Sequence, residues 1–340
     1  MGLSLAFAAM CALGTSVWVI YGGSNFGLNF WAGWSPWLLS AAFLLFGLTF
    51  ARRRWQVWRQ IFVATGVLVA ALQDIGIIGK ALGVIGTQTS QYGDFYGVRT
   101  FHASLALLIV LAFVLALTGH GAGRRNAGLA TFLGISVVLS QHRSVWVGLT
   151  IVTLLMLVRY SRDRAPRDNW IALCIPFTYL VIANLAPLIG LHLLPKAGET
   201  APERGLADAA TSSNSLEWRL EMWRTRLVAA RDPDHWLFGG VSGVNPVKWP
   251  GSGVMNPHNS AHNMLVDVSV MLGLVGVIVV LAIFIAATLS RADRLDPVAI
   301  FLWGLLGYGT FYYWPAWSWV VIGAALTTSD RTTSERAEPA

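Results

Sequence analysis

Runs of roughly twenty apolar residues recur along the whole chain, parted by short polar stretches rich in arginine. That pattern is the signature of membrane-spanning helices. Spans are predicted near 3–21, 36–51, 61–79, 102–118, 127–141, 145–159, 170–190, 260–287, 298–313 and 315–327. The span at 145–159 is short, and only a turn at Trp314–Pro315 separates the last two. The predicted fold is therefore all-α, a polytopic transmembrane helical bundle of about ten helices. It forms one membrane domain over 1–340, ending in a disordered cytoplasmic tail at 328–340. The first run, near Leu3 to Tyr21, lacks the charged flank and small-residue cleavage site of a signal peptide, so it reads as a retained helix.

Composition agrees. The chain has 340 residues, 55% hydrophobic and 12% charged, whereas a water-soluble domain carries about 25% charged residues. A net charge of +7 raises the question of nucleic acid. The positive residues sit in short loops between apolar runs, so no nucleic-acid partner is expected. Cys11 and Cys174 both lie inside apolar runs, which argues against a disulfide framework and against a cysteine metal site. Tryptophan is abundant, with 16 residues. Clusters at Trp31, Trp34 and Trp37, and at Trp314, Trp317 and Trp319, read as aromatic belts at the membrane interface.

Arginine placement predicts orientation. One set of loops holds Arg52, Arg53, Arg54, Arg59, Arg124, Arg125, Arg159, Arg162, Arg164, Arg167, Arg291 and Arg294, with Arg331 and Arg336 in the tail. The short loops opposite hold only Lys80, Arg99 and Arg143. The first set is expected in the cytoplasm, together with both termini. The loop from about 191 to 259 is then extracytoplasmic. Its first part, Lys196 to Ser215, is rich in Ala, Ser and Pro. Asn214 and Glu217 resemble a capping box for a helix over Leu216 to Ala230. Gly239, Gly240, Gly243, Pro246, Pro250, Gly251 and Gly253 mark an irregular segment, and Asn256–Pro257 would lead into the next membrane helix.

Several residues in this frame could carry chemistry. Arg143 lies in Ser140-Gln141-His142-Arg143-Ser144-Val145-Trp146, a short external turn. It is either a snorkelling helix-end residue or an anion-binding one. In the loop helix, Glu221 accounts for Arg224. Arg219 and Arg226 have no carboxylate at helical spacing, and with Trp223 they share one face. That face is either solvated or a site for a phosphate and a sugar ring. His258 and His262, in His258-Asn259-Ser260-Ala261-His262-Asn263, stand where the loop re-enters the membrane. Histidine can take up and release a proton near neutral pH. The i, i+4 pair could also chelate a metal, but no third ligand is evident and no metal is expected. Asp74 and Asp267 fall inside apolar spans, where carboxylates are costly. A supporting role fits both.

In this order and spacing, the motifs resemble the O-antigen ligase and polymerase family of bacterial membrane glycosyltransferases. Three pieces carry the resemblance over about 130–290: the Ser140-x-x-Arg143-x-x-Trp146 turn; the Arg219-x-x-x-Trp223 helix followed by Asp232-Pro233-Asp234-His235-Trp236-Leu237-Phe238-Gly239-Gly240; and His262-Asn263 opening a helix that reaches Gly273-Leu274-Val275-Gly276. Tyr96-Gly97-Val98-Arg99 resembles an Arg-bearing external loop of the family. The family often has a carboxylate near Met271 that this chain lacks.

The resemblance implies a GT-C-like bundle in the bacterial cytoplasmic membrane, without a cofactor or metal. It implies a polyprenyl-diphosphate-linked glycan donor, and transfer on the outer face to a hydroxyl of a glycan or glycolipid acceptor. Arg143 and Arg219 would hold the diphosphate, with Arg226 and Arg99 beside them, and His262 would be catalytic. Trp223, His258, Asn263 and Asp267 would support them. A polysaccharide polymerase using the same donor is the nearest alternative. A transporter or flippase without chemistry is the alternative of another class, suited by Asp74, Asp267 and the basic loop. No internal repeat favours the transporter.

Overall fold

A computed structural model describes residues 2–21, 35–51, 54–84, 101–118, 124–163, 166–185, 263–290 and 295–326, and within the polar loop 219–220, 222–224, 226–228, 231, 233 and 236–239. Among the described residues there is no strand. The helices are α1 (Gly2–Tyr21), α2 (Ser35–Phe46), α3 (Trp55–Ala81), α4 (Ala103–Leu117), α5 (Arg124–Leu139), α6 (Arg143–Asp163), α7 (Arg167–Leu185), α8 (Met264–Leu289), α9 (Pro297–Gly309) and α10 (Ser318–Ala325). A π-helical turn, Gly47–Ala51, continues α2. The described residues between 219 and 228 are also helical.

Among the described residues four helices, α3, α6, α7 and α8, are long and apolar enough to cross a membrane. Their outer surfaces fit that reading. On α3, Ile61, Leu68, Leu72, Ile75 and Ile78 are all exposed, at spacings that place them on one helical face. So continuous an apolar stripe marks contact with another apolar phase. The apolar helices α4, α5 and α9, and the stretch Trp37–Ala51, are shorter.

The chain forms two compact units. The first comprises Met1–Trp55, Ala210–Leu302 and Gly309–Ala340; the second comprises Gln56–Ala209 and Trp303–Tyr308.

The second unit is built around α4. Residues 106–117 of α4 are all buried, as befits a helix that is apolar all round. Small residues let its neighbours close on it. Gly66 of α3 meets Ala112, and Gly134 of α5 faces both Pro176 of α7 and Phe113. Gly148 of α6 crosses Gly304 of α9. This is the close packing that membrane helices use when no hydrophobic force separates helix from lipid. Polar contacts fix the helix ends. Arg59 Nη2 donates to the Leu115 carbonyl at 2.8 Å, and the Tyr160 hydroxyl donates to the Leu117 carbonyl at 3.2 Å. The C-terminal carbonyls of α4 thus gain donors, one of them cationic. Chain direction then gathers Arg59, Arg125, Arg159, Arg162 and Arg167 at one end of this unit. Midway, Gln73 Nε2 donates to the Ser136 carbonyl at 2.8 Å, and the Ser136 hydroxyl donates to Asp74 Oδ2 at 2.6 Å. Asp74 therefore joins α3 to α5.

In the first unit, α10 departs from the expected span at 315–327. It has eight residues, about 12 Å of helix, against about 30 Å of hydrocarbon. A connector over 310–317, rather than a single Trp–Pro turn, precedes it. Every residue of α10 is buried. Gly47 approaches the Val320 backbone, and Gly323 approaches the Leu44 carbonyl, so α10 sits directly against α2 and its π-helical turn. Trp314 and Trp319 are also not belt residues. They are 3% and 0% exposed. Trp319 stacks on Phe7 at 4.8 Å and meets Trp314 edge-on at 5.6 Å, and Trp314 lies 5.3 Å from Phe284. Burial of four large rings outweighs any preference of tryptophan for the interface.

Candidate functional site

The Ser140–Trp146 turn belongs to the second unit. α5 ends as Gln141 takes φ 54° and its N–H reaches the Val138 carbonyl at 3.2 Å. This is the left-handed helix stop usually given to glycine, here held by a residue with a side chain. Ser140 Oγ and Trp146 Nε1 both donate to the Val137 carbonyl, at 2.7 and 3.3 Å. His142 Nε2 lies 2.8 Å from the Phe101 carbonyl. A carbonyl only accepts, so that nitrogen carries the hydrogen. Serine, tryptophan and His142 thus hold the corner, while Arg143 opens α6 as an exposed residue. A cation on the first turn of a helix opposes the macrodipole and favours a bound anion there. The sequence reading singled out Arg143 but missed Gln141 and His142, whose roles depend on a backbone angle and on a partner 41 positions away.

In the first unit, the loop helix carries Arg219 and Trp223, both half-buried, and Arg224, which is exposed. Arg226 is 3% exposed and Asp267, in the first turn of α8, is 6% exposed. Arg226 Nε also reaches the Met222 sulfur at 3.3 Å. Burial pulls the Arg226 guanidinium below its ordinary pKa, and the charge of Asp267 works against that fall. The same carboxylate acts electrostatically on Tyr313. The charge of Asp267 is thus felt by both Arg226 and Tyr313. Arg226, expected among the donor-binding arginines, is buried and within the electrostatic reach of Asp267.

Asn263 is the N-cap of α8. Its Oδ1 accepts from Leu265 N and Val266 N at 3.0 and 3.2 Å, and its Nδ2 donates to the Thr310 carbonyl at 3.0 Å. The helix therefore starts at Met264 rather than near 260. Such a cap is typically worth about 1 kcal/mol, which fixes the start at this asparagine.

Farther along, α8 is broken. Gly273 has φ 66° and ψ −167°, a region open essentially to glycine alone. The loop segment Trp236–Gly239 lies in the break. Leu274 N donates to the Trp236 carbonyl at 2.9 Å, and Val275 N donates to the Leu237 carbonyl at 3.1 Å. Gly273 faces the backbone of Leu237 and Gly239, while Gly239, at φ 71°, faces the backbone of Met271 and Leu272. The Gly239 and Gly273 motifs are therefore two halves of one backbone crossing.

His258, His262 and Arg99 lie outside the described residues, as do Glu221, the Asn214/Glu217 cap and the tail 328–340. Among the described residues no three His, Cys, Asp or Glu side chains come together.

Apolar outer helix faces, and four helices long and apolar enough to cross a membrane among the described residues, are the marks of a multi-pass membrane protein. The family model described as O-antigen ligase matches residues 127–281. That stretch, just under half of the chain, is similar to the O-antigen ligase family. The matched residues include Arg143, Arg219, Arg226, His258, His262, Asn263 and Asp267, and leave out Arg99. No curated protein and no solved structure matches the chain.

Proposed function

We propose that the protein moves a glycan from a polyprenyl-diphosphate-linked donor to a hydroxyl of a glycan or glycolipid acceptor, on the outer face of the cytoplasmic membrane. The observation that carries this reading is the O-antigen ligase match over 127–281. It spans the Arg143 corner, the Arg219 helix and His262. The acceptor oxygen attacks the anomeric carbon, the bond from that carbon to the diphosphate breaks, and the lipid diphosphate leaves with the electron pair. Charge grows on the leaving group, so fixed guanidiniums stabilise the transition state. Arg143 and Arg219 take that role through their planar forks. His262 accepts the proton of the attacking hydroxyl. Arg226, buried beside Asp267, supports the site from behind, and Trp223 lies beside Arg219 as a surface for a sugar ring.

The test uses full-length protein in proteoliposomes with a polyprenyl-diphosphate-linked glycan and a glycolipid acceptor, in EDTA. Transfer is expected to proceed without a divalent ion. Arg143→Lys and Arg219→Lys should each lose most transfer, because an ammonium does not reproduce a bidentate fork. His262→Gln should slow turnover by about 10²–10⁴-fold with donor binding nearly unchanged. Arg224→Ala should be mild. Equal tolerance at all four positions refutes the assignment, and loss of transfer in EDTA moves His258 and His262 to a metal site.

A further inference from the structure

The break in α8 has a definite depth. The second half of the helix runs from Leu274 to Leu289, sixteen residues, or about 24 Å. A bilayer's hydrocarbon is about 30 Å thick. Ser290 caps this end and ties it to the Ala325 carbonyl at 2.8 Å. Arg291 and Arg294 follow in the sequence, and arginines so placed hold a helix end at the interface. With that end at the membrane surface, sixteen residues cannot reach the other surface. The break, and the loop segment seated in it, then lie inside the hydrocarbon, about 6 Å below its far edge.

Irregular backbone survives at that level only if its polar groups are satisfied by protein. The crossing supplies this, since the N–H groups of Leu274 and Val275, orphaned by the break, take the carbonyls of Trp236 and Leu237. The side chains here are apolar and uncovered. Trp236, Leu237 and Phe238 are 47%, 36% and 69% exposed. They adjoin the lipid-facing stripe of α8, where Leu274, Ile278, Ile285 and Leu289 are all exposed on one face. The stripe begins at Leu274, the residue bonded to Trp236.

We propose that Trp236–Leu237–Phe238 is a re-entrant wedge that inserts into the hydrocarbon of the leaflet on the loop side. The polar loop is thereby a membrane-embedded element, and its helix is carried at the lipid surface. This rests on the membrane character of α8 and not on the transfer reaction, so its test needs no activity.

The test is a depth measurement by spin labelling in proteoliposomes. In full-length protein with Cys11 and Cys174 replaced, nitroxides are attached at Phe238→Cys and, separately, at Trp236→Cys. Arg231→Cys, an exposed loop position, is the aqueous reference. Monodisperse elution shows that each variant is folded. The expected result at 236 and 238 is high accessibility to oxygen, with accessibility to a water-soluble nickel chelate several-fold below that at 231. Nickel accessibility equal to that at 231 means the segment lies in water and overturns the proposal. Exclusion of both oxygen and nickel means that protein covers the wedge, and overturns it equally.

Discussion

Replacing Gly273 by alanine tests the crossing at its tightest point. Two penalties arise. The first is conformational, because φ 66° with ψ −167° costs a residue with a Cβ about 1–3 kcal/mol. The second is steric. The new methyl would meet Gly239 N and Leu237 C at 2.5 Å each, and both are backbone atoms that move only if the loop leaves the break. Overpacking of this kind costs about 1–3 kcal/mol. The total is about 2–6 kcal/mol, and separation of the two segments also puts at risk the bonds from Leu274 and Val275.

Two other glycines separate these terms. Gly83 has φ 71° and nothing within 4 Å of its would-be Cβ, so Gly83→Ala carries the left-handed penalty alone, about 1–2 kcal/mol. Gly128, inside α5, also has nothing within 4 Å, and Gly128→Ala should be neutral or stabilising by up to about 1 kcal/mol. The assay is the thermal midpoint of the monodisperse peak in detergent. The expected order of loss is Gly273→Ala, then Gly83→Ala, then Gly128→Ala. Gly239→Ala should resemble Gly273→Ala, and the double variant should cost less than the sum, because either methyl opens the same crossing. A Gly273→Ala variant that melts with Gly128→Ala would refute the reasoning.

Asp267→Asn removes the charge that opposes the burial cost of Arg226, so it should lower the thermal midpoint. Adding Arg226→Met should recover part of that midpoint, and no recovery would show that the two side chains act independently. For topology, Ser212→Cys should react with an impermeant thiol reagent in intact cells and Ser161→Cys should not, in a background lacking Cys174, which is itself exposed. The reverse pattern would invert the proposed orientation.

What the sequence made legible follows from range. The long helices were visible because each is written in one apolar run; α3, α6, α7 and α8 overlap the predicted spans, with ends shifted by two to six residues. The errors came where identity and environment part company. Trp314 and Trp319 look like interface residues in sequence, yet their partners Phe284 and Phe7 stand far off along the chain. The start of α8 was misplaced because Asn256–Pro257 is an equally plausible entry, and nothing local shows that Asn263 also bonds Thr310. Long-range electrostatics were equally invisible: Arg226 has no carboxylate at helical spacing. Its counter-charge comes from Asp267, 41 positions on, and only folding brings the two together.

These same long-range contacts tie the described parts of the loop to α8, as the proposed site requires. The loop helix is tied to the first turn of α8 through the charges of Arg226 and Asp267, and the segment after it is locked to the middle of α8 through Gly239 and Gly273. Asn263 ties the start of α8 to the connector at Thr310, and Tyr313, three residues on, feels the charge of Asp267. Arg219 shares a helix with Arg226, and His262 is bonded to Asn263, so the proposed anion-binding arginine and the proposed base are each one short step from an anchor. Each anchor uses a different kind of interaction: a buried charge pair, a backbone crossing and a helix cap. Loosening any one should impair positioning without deleting a reacting group. Such variants should therefore lose turnover while retaining Arg219 and His262 intact, which distinguishes them in kind from substitutions at those two residues.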